Sequence, residues 1–270
     1  MLEILPIFIF NSVDDPVKTE ETIYKQLCDK QNTINTDYTY VAFPLAFCIN
    51  RQGLSYTQHI IDKICNQHPN KKLFFVCQHI LVNKLNFHGH LVFTPHATIL
   101  DSFVPIPHYS CAYDLSKVKK WEDRKYTYSF MGSFATHPVR RRIYDMLNHR
   151  EDCLIVDTGG WHFEGNKEKQ ESNKQRYIEI LGGTKFSLCP RGTGPSTIRI
   201  WEAMAMGSCP VILSDFLRMP LEKQIDSDMW LKIPENCASI ETGIDEYNNS
   251  AYFEYFSNEN LCKAITSVLI

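Results

Sequence analysis

The stretch SLCPRGTGPSTIRIWEAMAMGSCPVILSD, residues 187–215, contains an apolar segment, a turn rich in glycine and proline, a helical pattern and a second apolar segment. Pro195 suits a first helical position, with Thr193 or Gly194 as the residue that caps the helix. Gly207 is expected to end this helix in a left-handed conformation. A strand, a crossover helix and a second strand predict a parallel sheet of the α/β class.

The same alternation of strand-like and helical patterns runs through the rest of the chain. The further predicted strands are 4–10, 38–43, 72–79, 90–95, 126–133 and 153–159, and the further predicted helices are 56–67, 137–150 and 176–183, with a polar surface loop at 164–176. The proline- and charge-rich segment 105–125 predicts a linker between two domains. We expect domains at 1–115 and 116–249, with a C-terminal helical segment at 250–270 that packs back on the first.

Composition narrows the class of protein. With 270 residues, 44% hydrophobic residues and a formal net charge of -3, the chain is typical of a globular protein, and its overall charge does not favour nucleic acid as a partner. The ten cysteines form no CxxC pair, which argues against a zinc ribbon and favours free thiols in a reducing compartment. No stretch reaches transmembrane length, so we expect a soluble, cytoplasmic protein.

The turn at the start of the predicted helix has the residue types of a phosphate site. Arg191 supplies a forked donor that suits phosphate, and Gly192 lets a ligand approach the backbone. Free N–H groups at a helix start favour an anion. Ser196, Arg199 and Glu202 are spaced three apart and would share one helix face, where Glu202 could accept hydrogen bonds from a ribose diol.

Other interpretations of this stretch stay open. Glycine and proline before a helix are common turn residues, and Arg199 with Glu202 could form an ordinary surface ion pair. A nicotinamide-binding fold is a further alternative, since residues 192–194 read G-x-G and Asp215 ends the next strand. Against it, Thr197 occupies the position of the third glycine.

The stretch 177–215 closely resembles the signature of the exostosin-like glycosyltransferases, and the strong resemblance covers about residues 126–216. The matching positions are Tyr177, Leu181, Lys185, Phe186, Leu188, Pro190, Arg191, Gly192, Ser196, Arg199, Glu202, Ala203, Gly207, Cys209, Pro210, Val211, Ile212 and Asp215.

The resemblance implies a GT-B fold, in which two Rossmann-like domains face each other across a cleft. It also implies transfer of a sugar from a nucleotide sugar, usually a UDP-sugar, to a glycan acceptor with inversion. The implied donor-binding residues are Gly132, Ser133, Arg141, Pro190, Arg191, Gly192, Ser196, Thr197, Arg199 and Glu202. Arg191 would also stabilise the departing diphosphate. Of Arg140, Arg141 and Arg142, one or more would approach the phosphates, unless this triplet is a solvated helix face.

Inversion requires a base that takes the proton of the acceptor hydroxyl, and we expect it in the N-terminal domain. The candidates are Asp101 and His79, although a histidine after a strand is more often structural. The expected acceptor-binding residues are Asp14, Asp15, His96 and His108, of which the two histidines are further options for the base.

No DxD motif of the kind that places a metal on a diphosphate is evident, and DSD at 226–228 lies in a polar loop. We therefore expect no obligatory metal or other cofactor, with arginine and the helix dipole in its place. Another GT-B enzyme, such as an epimerase or a phosphorylase, is one rival interpretation. A catalytically inactive sugar-nucleotide or glycan-binding partner subunit of the same fold is the other.

Overall fold

The structure is a computed structural model that describes residues 1–6, 18–160, 167–225 and 227–270. The chain divides into two compact units. The first unit comprises residues 1–109, 216–222 and 258–270, and the second comprises 110–215 and 223–257.

The strands are β1 (Glu3–Pro6), β2 (Tyr38–Ala42), β3 (Lys72–Val76), β4 (Leu91–Thr94), β5 (Val104–Pro105), β6 (Tyr126–Gly132), β7 (Cys153–Asp157), β8 (Thr184–Pro190), β9 (Cys209–Leu213) and β10 (Leu231–Lys232). The α-helices are α1 (Lys18–Lys30), α2 (Leu45–Gln67), α3 (Pro138–Leu147), α4 (Lys167–Gly182), α5 (Arg199–Ala205) and α6 (Lys263–Leu269). Short 3₁₀ turns lie at Val82–Lys84, Leu115–Lys117, Trp121–Asp123, Phe134–Thr136 and Ser227–Met229, and a π-helical turn lies at Tyr252–Phe256.

The first unit has a five-stranded parallel sheet in the order β1-β2-β3-β4-β5. Its strands are apolar on both faces because helices cover both. On one face, Tyr40 stacks on Phe74 at 5.0 Å between ring centroids, and α1 and α6 supply the facing side chains. On the other face, Phe75 packs among the side chains of α2. That helix starts before the predicted 56–67 and bends at Gly53, whose φ is +83°.

The second unit has a five-stranded parallel sheet in the order β10-β9-β8-β6-β7. From β6 the chain moves outward to β7 and then returns to the other side of β6 to form β8. The strand order therefore reverses between β6 and β8, and a doubly wound sheet binds ligands beyond the carboxyl ends of its strands at such a point. Gly132 ends β6 and Pro190 ends β8, so the turn predicted as a phosphate site follows one of the two reversing strands.

Two helix boundaries correct the sequence analysis. α4 begins at Lys167, inside the predicted polar loop, because most of its first half is lysine, glutamate and glutamine, which are good helix formers without an apolar stripe. α5 begins only at Arg199, and residues 191–198 form a loop held to other strands. Ser196 thus lies outside the helix face predicted for it, and the dipole of a long helix does not act at the turn. The predicted end at Gly207 is confirmed by its φ of +63°.

The fold class is confirmed as α/β. Each of the two units has its own parallel sheet with crossover helices, as expected for a Rossmann-like domain. Within the described ranges, no helix is both long enough and apolar enough to cross a membrane.

Candidate functional site

A buried guanidinium joins the ends of the two reversing strands. Arg140 lies on α3, and His137 caps this helix by accepting the N–H of Val139 at 3.4 Å. The Arg140 side chain donates to the carbonyl of Ser133 at 2.9 Å and to that of Arg191 at 3.0 Å. Arg140 is only 9% exposed, so it fixes the spacing of the chain segments that leave β6 and β8.

A second guanidinium lies on the same strand ends. Arg199, the first residue of α5, donates to the carbonyl of Met131. Its guanidinium lies 4.5 Å from the ring centroid of Phe130 and 5.1 Å from that of Tyr177, at distances typical of cation–π contacts. Its Nε atom is buried and has no hydrogen-bond partner among residues 1–6, 18–160, 167–225 and 227–270.

The two strand-end glycines make room for these guanidiniums. A Cβ on Gly192 would lie 3.0 Å from Nη2 of Arg140, and a Cβ on Gly132 would lie 3.0 Å from Nη2 of Arg199. The sequence analysis assigned Gly192 to the approach of a ligand. In the structure it also makes room for the guanidinium of Arg140, so a larger residue would shift that guanidinium by a few tenths of an ångström.

The guanidiniums of Arg140 and Arg199 are not neutralised by direct ion pairs among the described residues. Among the described residues, neither Arg140 nor Arg199 forms an ion pair with a carboxylate. Burial, followed by the charge of Arg199, lowers the pKa of Arg140 to about 10. A buried cation without a partner is costly, and an anion bound at this edge would relieve that cost.

The loop 191–198 offers further donors. Its two ends are fixed: the N–H of Arg191 donates to the carbonyl of Leu213 at 3.0 Å, and Ser214 Oγ donates to the carbonyl of Pro195 at 2.7 Å. Within this loop, the N–H groups of residues 192–194, 196 and 197 have no acceptor in the described part of the chain. The hydroxyl of Ser196, a residue only 8% exposed, also has no partner. Free N–H groups in a turn form an anion-binding concavity.

Arg191 pairs with a residue that the sequence analysis did not identify. Its Nη1 lies 3.8 Å from Oε1 of Glu235, and Oε2 of the same carboxylate lies 3.9 Å from Nε2 of His137. Glu235 is held in place by Asp215, because each residue's backbone N–H donates to the other's carboxylate, at 2.8 and 3.1 Å. No spacing in the sequence relates Glu235 to residues 191–202, although both follow strands of one parallel sheet.

Glu202 is engaged within its own unit. Its Oε1 accepts the N–H groups of Cys111 at 3.2 Å and Ala112 at 2.9 Å, and its Oε2 accepts the hydroxyl of Tyr177 at 2.8 Å. Burial raises the pKa of this carboxyl. One acceptor position is left on Oε2, so the contact with a ribose stays a prediction.

The other predicted donor-side residues divide into two groups. Ser133, Pro190 and Thr197 lie at the strand ends or in the loop 191–198. Arg141, by contrast, is exposed on α3 and pairs with Asp145 at 3.2 Å. Of these neighbouring arginines it is Arg140 that reaches the carbonyls beyond β6 and β8.

In the first unit, both predicted candidates for the base already make hydrogen bonds. His79 follows β3, accepts the N–H of Leu81 on Nδ1 at 3.0 Å, and places Nε2 3.1 Å from Oδ1 of Asn50. Asp101 accepts the backbone N–H of Thr98 at 3.0 Å, the hydroxyl of Thr98 at 2.6 Å and the N–H of Phe103 at 3.0 Å. His79 would have to give up the hydrogen bond on Nδ1 to take a proton, whereas Asp101 keeps one free acceptor position on Oδ1. The role of each stays a prediction.

The two predicted acceptor-binding histidines lie edge to face, with ring centroids 5.2 Å apart. His96 follows β4, is 6% exposed, and has an Nδ1 atom without a partner. Burial lowers the pKa of His96 to about 4 and lowers the pKa of His108 well below its usual value, so both rings are neutral at pH 7. Asp14 and Asp15 lie outside the described residues, as does Asp226 of the DSD segment.

Metal ligands are not clustered in the regions that the structure describes: no group of three or more His, Cys, Asp or Glu side chains there could hold an ion.

Comparison with known proteins identifies relatives of this chain. It is 27% identical over 146 residues to the Exostosin-1 homolog of Caenorhabditis elegans. This match covers 47% of this chain and 38% of that protein. It is 26% identical over 172 residues to the Probable glucuronoxylan glucuronosyltransferase IRX7 of Arabidopsis thaliana, covering 56% of this chain and 37% of that protein. It is 33% identical over 98 residues to Ribitol-5-phosphate xylosyltransferase 1 of Danio rerio, covering 35% of this chain and 21% of that protein.

The chain thus spans about two fifths or less of the length of these curated relatives. A model of the Exostosin GT47 domain matches residues 64–232, which is more than half of the chain and includes β6, β8, α3 and α5 with their arginines. The chain therefore belongs to the exostosin GT47 domain family.

Proposed function

We propose that this chain is an inverting glycosyltransferase that moves a sugar from a UDP-sugar to a hydroxyl of a glycan acceptor. Family membership supports the reaction class, and two relatives carry the names glucuronosyltransferase and xylosyltransferase. The observation that carries the proposal is the pair of guanidiniums, buried Arg140 and half-buried Arg199, at the point where the strand order of the second unit reverses.

The arrangement suits a nucleoside diphosphate. Arg191 and the free N–H groups of residues 192–194, 196 and 197 are donors for phosphate oxygens. In the reaction, the bond from the anomeric carbon to the β-phosphate oxygen breaks, and the pair of electrons stays on that oxygen. Donors fixed in advance at the developing charge lower the barrier. We propose that these groups do this work without an obligatory metal.

The remaining roles follow from the resemblance. Glu202 would accept a hydroxyl of the ribose on its last free acceptor position, and the acceptor's oxygen would form the new bond to the anomeric carbon while its proton passes to a base. His79 and Asp101 are the proposed bases. The names of the relatives refer to transfer of two different sugars, glucuronic acid and xylose. The proposal therefore specifies the UDP group of the donor and not its sugar.

Calorimetric titration with UDP-sugars, GDP-sugars and NAD tests the nucleotide. We expect UDP-sugars to bind more tightly than the other two, and binding of NAD alone would overturn the proposal. A transfer assay with the UDP-sugar that binds best, followed by NMR of the anomeric proton of the product, tests the stereochemistry. Binding without transfer to any offered glycan would favour the inactive partner subunit of the same fold.

A further inference from the structure

His137 and Glu235 lie beside the phosphate donors but have no role in the function proposed above. They come from different elements: His137 precedes α3, and Glu235 follows β10. The two oxygens of the Glu235 carboxylate divide between the two donors, Oε1 at 3.8 Å from Arg191 and Oε2 at 3.9 Å from His137. All three side chains are more than two-thirds buried, at 18 to 27% exposure.

The helix cap fixes the tautomer of His137. Nδ1 accepts the N–H of Val139 at 3.4 Å, so in the neutral ring the proton lies on Nε2, the atom that faces Glu235. Both Arg191 and His137 therefore direct N–H donors toward one carboxylate. A phosphate has the same charge sign and the same spacing of acceptor oxygens as a carboxylate, and can take its place between them.

We propose that His137 is a further diphosphate-binding residue that acts together with Arg191, and that Glu235 is an internal counter-anion which holds both donors in position until the diphosphate replaces it. This inference rests on the proposed nucleotide donor. It assigns a second side chain to the leaving group and gives the carboxylate of Glu235 a positioning role. The unpartnered hydroxyl of Ser196, in the adjoining loop, is a second polar group that lacks an acceptor until an anion binds.

The charges around His137 give the proposal a pH dependence. Burial, then the charge of Arg191, lowers the pKa of His137, Glu235 raises it, and Arg140 lowers it again. A bound diphosphate adds negative charge and raises this pKa. The proton that His137 then takes lies on Nδ1, where it replaces the weak cap bond from the N–H of Val139. By linkage, a group whose pKa is higher in the complex strengthens binding as the pH falls toward that pKa, so wild-type affinity should increase between pH 8 and pH 6.

Three variants separate binding from helix capping. His137→Asn keeps a good capping residue but removes the Nε2 donor. His149→Asn makes the same chemical change at an exposed histidine beyond α3 and serves as the control. Glu235→Gln removes the charge and keeps an oxygen that can accept the N–H of Asp215.

Calorimetry with UDP and with inorganic pyrophosphate, each at pH 8 and pH 6, tests the proposal. We expect His137→Asn to weaken UDP binding at least about tenfold, as for loss of a hydrogen bond to a charged group. We also expect the UDP affinity of this variant to increase less than that of wild type as the pH falls. The phosphate's own titration is common to both proteins. We expect His149→Asn to match wild type, and Glu235→Gln to bind UDP about two- to fivefold more tightly, since a weak ion pair no longer competes.

The outcomes separate this inference from the proposed function. If His137→Asn binds UDP with the same affinity and the same pH dependence as wild type, His137 does not bind the diphosphate, and the proposed nucleotide donor is unaffected. If Glu235→Gln binds UDP more weakly than wild type, the proposed role of Glu235 as a counter-anion is wrong. If pyrophosphate binds as tightly as UDP and depends on His137, the anion site stands and the uridine nucleotide fails. If neither ligand binds to wild type, both proposals fail. Equal melting temperatures of His137→Asn and wild type would exclude lost capping as the cause of an affinity change.

Discussion

Replacement of Arg140 by methionine tests the central observation, a buried cation without a carboxylate partner. Methionine keeps most of the apolar stem over Phe130 but makes none of the hydrogen bonds to the carbonyls of Ser133 and Arg191. Hydrogen bonds to a charged donor contribute about 1.5–3 kcal/mol each, so the two together contribute about 3–6 kcal/mol.

The opposing contribution comes from the charge itself. Lowering of the Arg140 pKa from 12.5 to about 10 corresponds to a penalty of about 3 kcal/mol for keeping the guanidinium charged in its buried place. Methionine avoids that penalty. The net loss in the free energy of unfolding should therefore be about 0–3 kcal/mol, which corresponds to a fall of at most roughly 10 °C in melting temperature for a protein of this size.

Ligand binding should change far more than stability. With the guanidinium gone, we expect UDP affinity to fall at least about tenfold, the scale of one lost charge-assisted hydrogen bond. Arg141→Met is the matched control, because this neighbour on α3 is exposed and contacts only other residues of the same helix, Asp145 and the ring of Tyr144, among the described residues. It should change stability by less than about 0.5 kcal/mol and leave binding unchanged.

Thermal unfolding and calorimetry on the two variants check these values. The reasoning is refuted if Arg140→Met is more stable than wild type and binds UDP equally well, because Arg140 would then be a buried charge that serves neither the strand ends nor a ligand. A fall of more than about 10 °C with unchanged affinity would make Arg140 a structural tie only.

Three further predictions concern the reaction and the first unit. Arg191→Ala should lower the turnover number about 10²-fold if Arg191 stabilises the leaving diphosphate; an unchanged rate in a transfer assay would remove that role. His79→Gln or Asp101→Asn should abolish transfer without loss of UDP binding if that residue is the base, and wild-type rates in both would mean that the base lies elsewhere. The pKa of His96, about 4 in the folded protein and about 6.5 in the unfolded chain, predicts that the unfolded chain binds the proton more readily. The free energy of unfolding should then fall by about 3 kcal/mol as the pH drops from about 6.5 to 4. Denaturant titrations of wild type and His96→Asn over this range should diverge, and parallel curves would show that His96 is not buried as described.

Local patterns accounted for much of the second unit. The apolar segments that became β6, β8 and β9 and the left-handed stop at Gly207 were predictable because strand and helix-end signals depend on neighbouring residues. The sequence predicts a loop at 164–176 because the polar first half of α4 carries no apolar period. The start of α5 was misplaced because hydrogen bonds to β9 hold residues 191–198 as a loop, and these partners are distant in sequence.

The sequence alone determined the α/β class, the turn with Arg191 and Gly192, and the resemblance that family membership confirmed. Only the tertiary structure decided which arginine of the triplet lies inward, because a one-residue step turns a helical side chain by about 100° and only the packed sheet marks the inner direction. It also decided that the carboxylate of Glu235 lies near both Arg191 and His137. Strands that are neighbours in a parallel sheet bring their carboxyl ends together at one edge whatever their separation along the chain, and no local pattern carries that information.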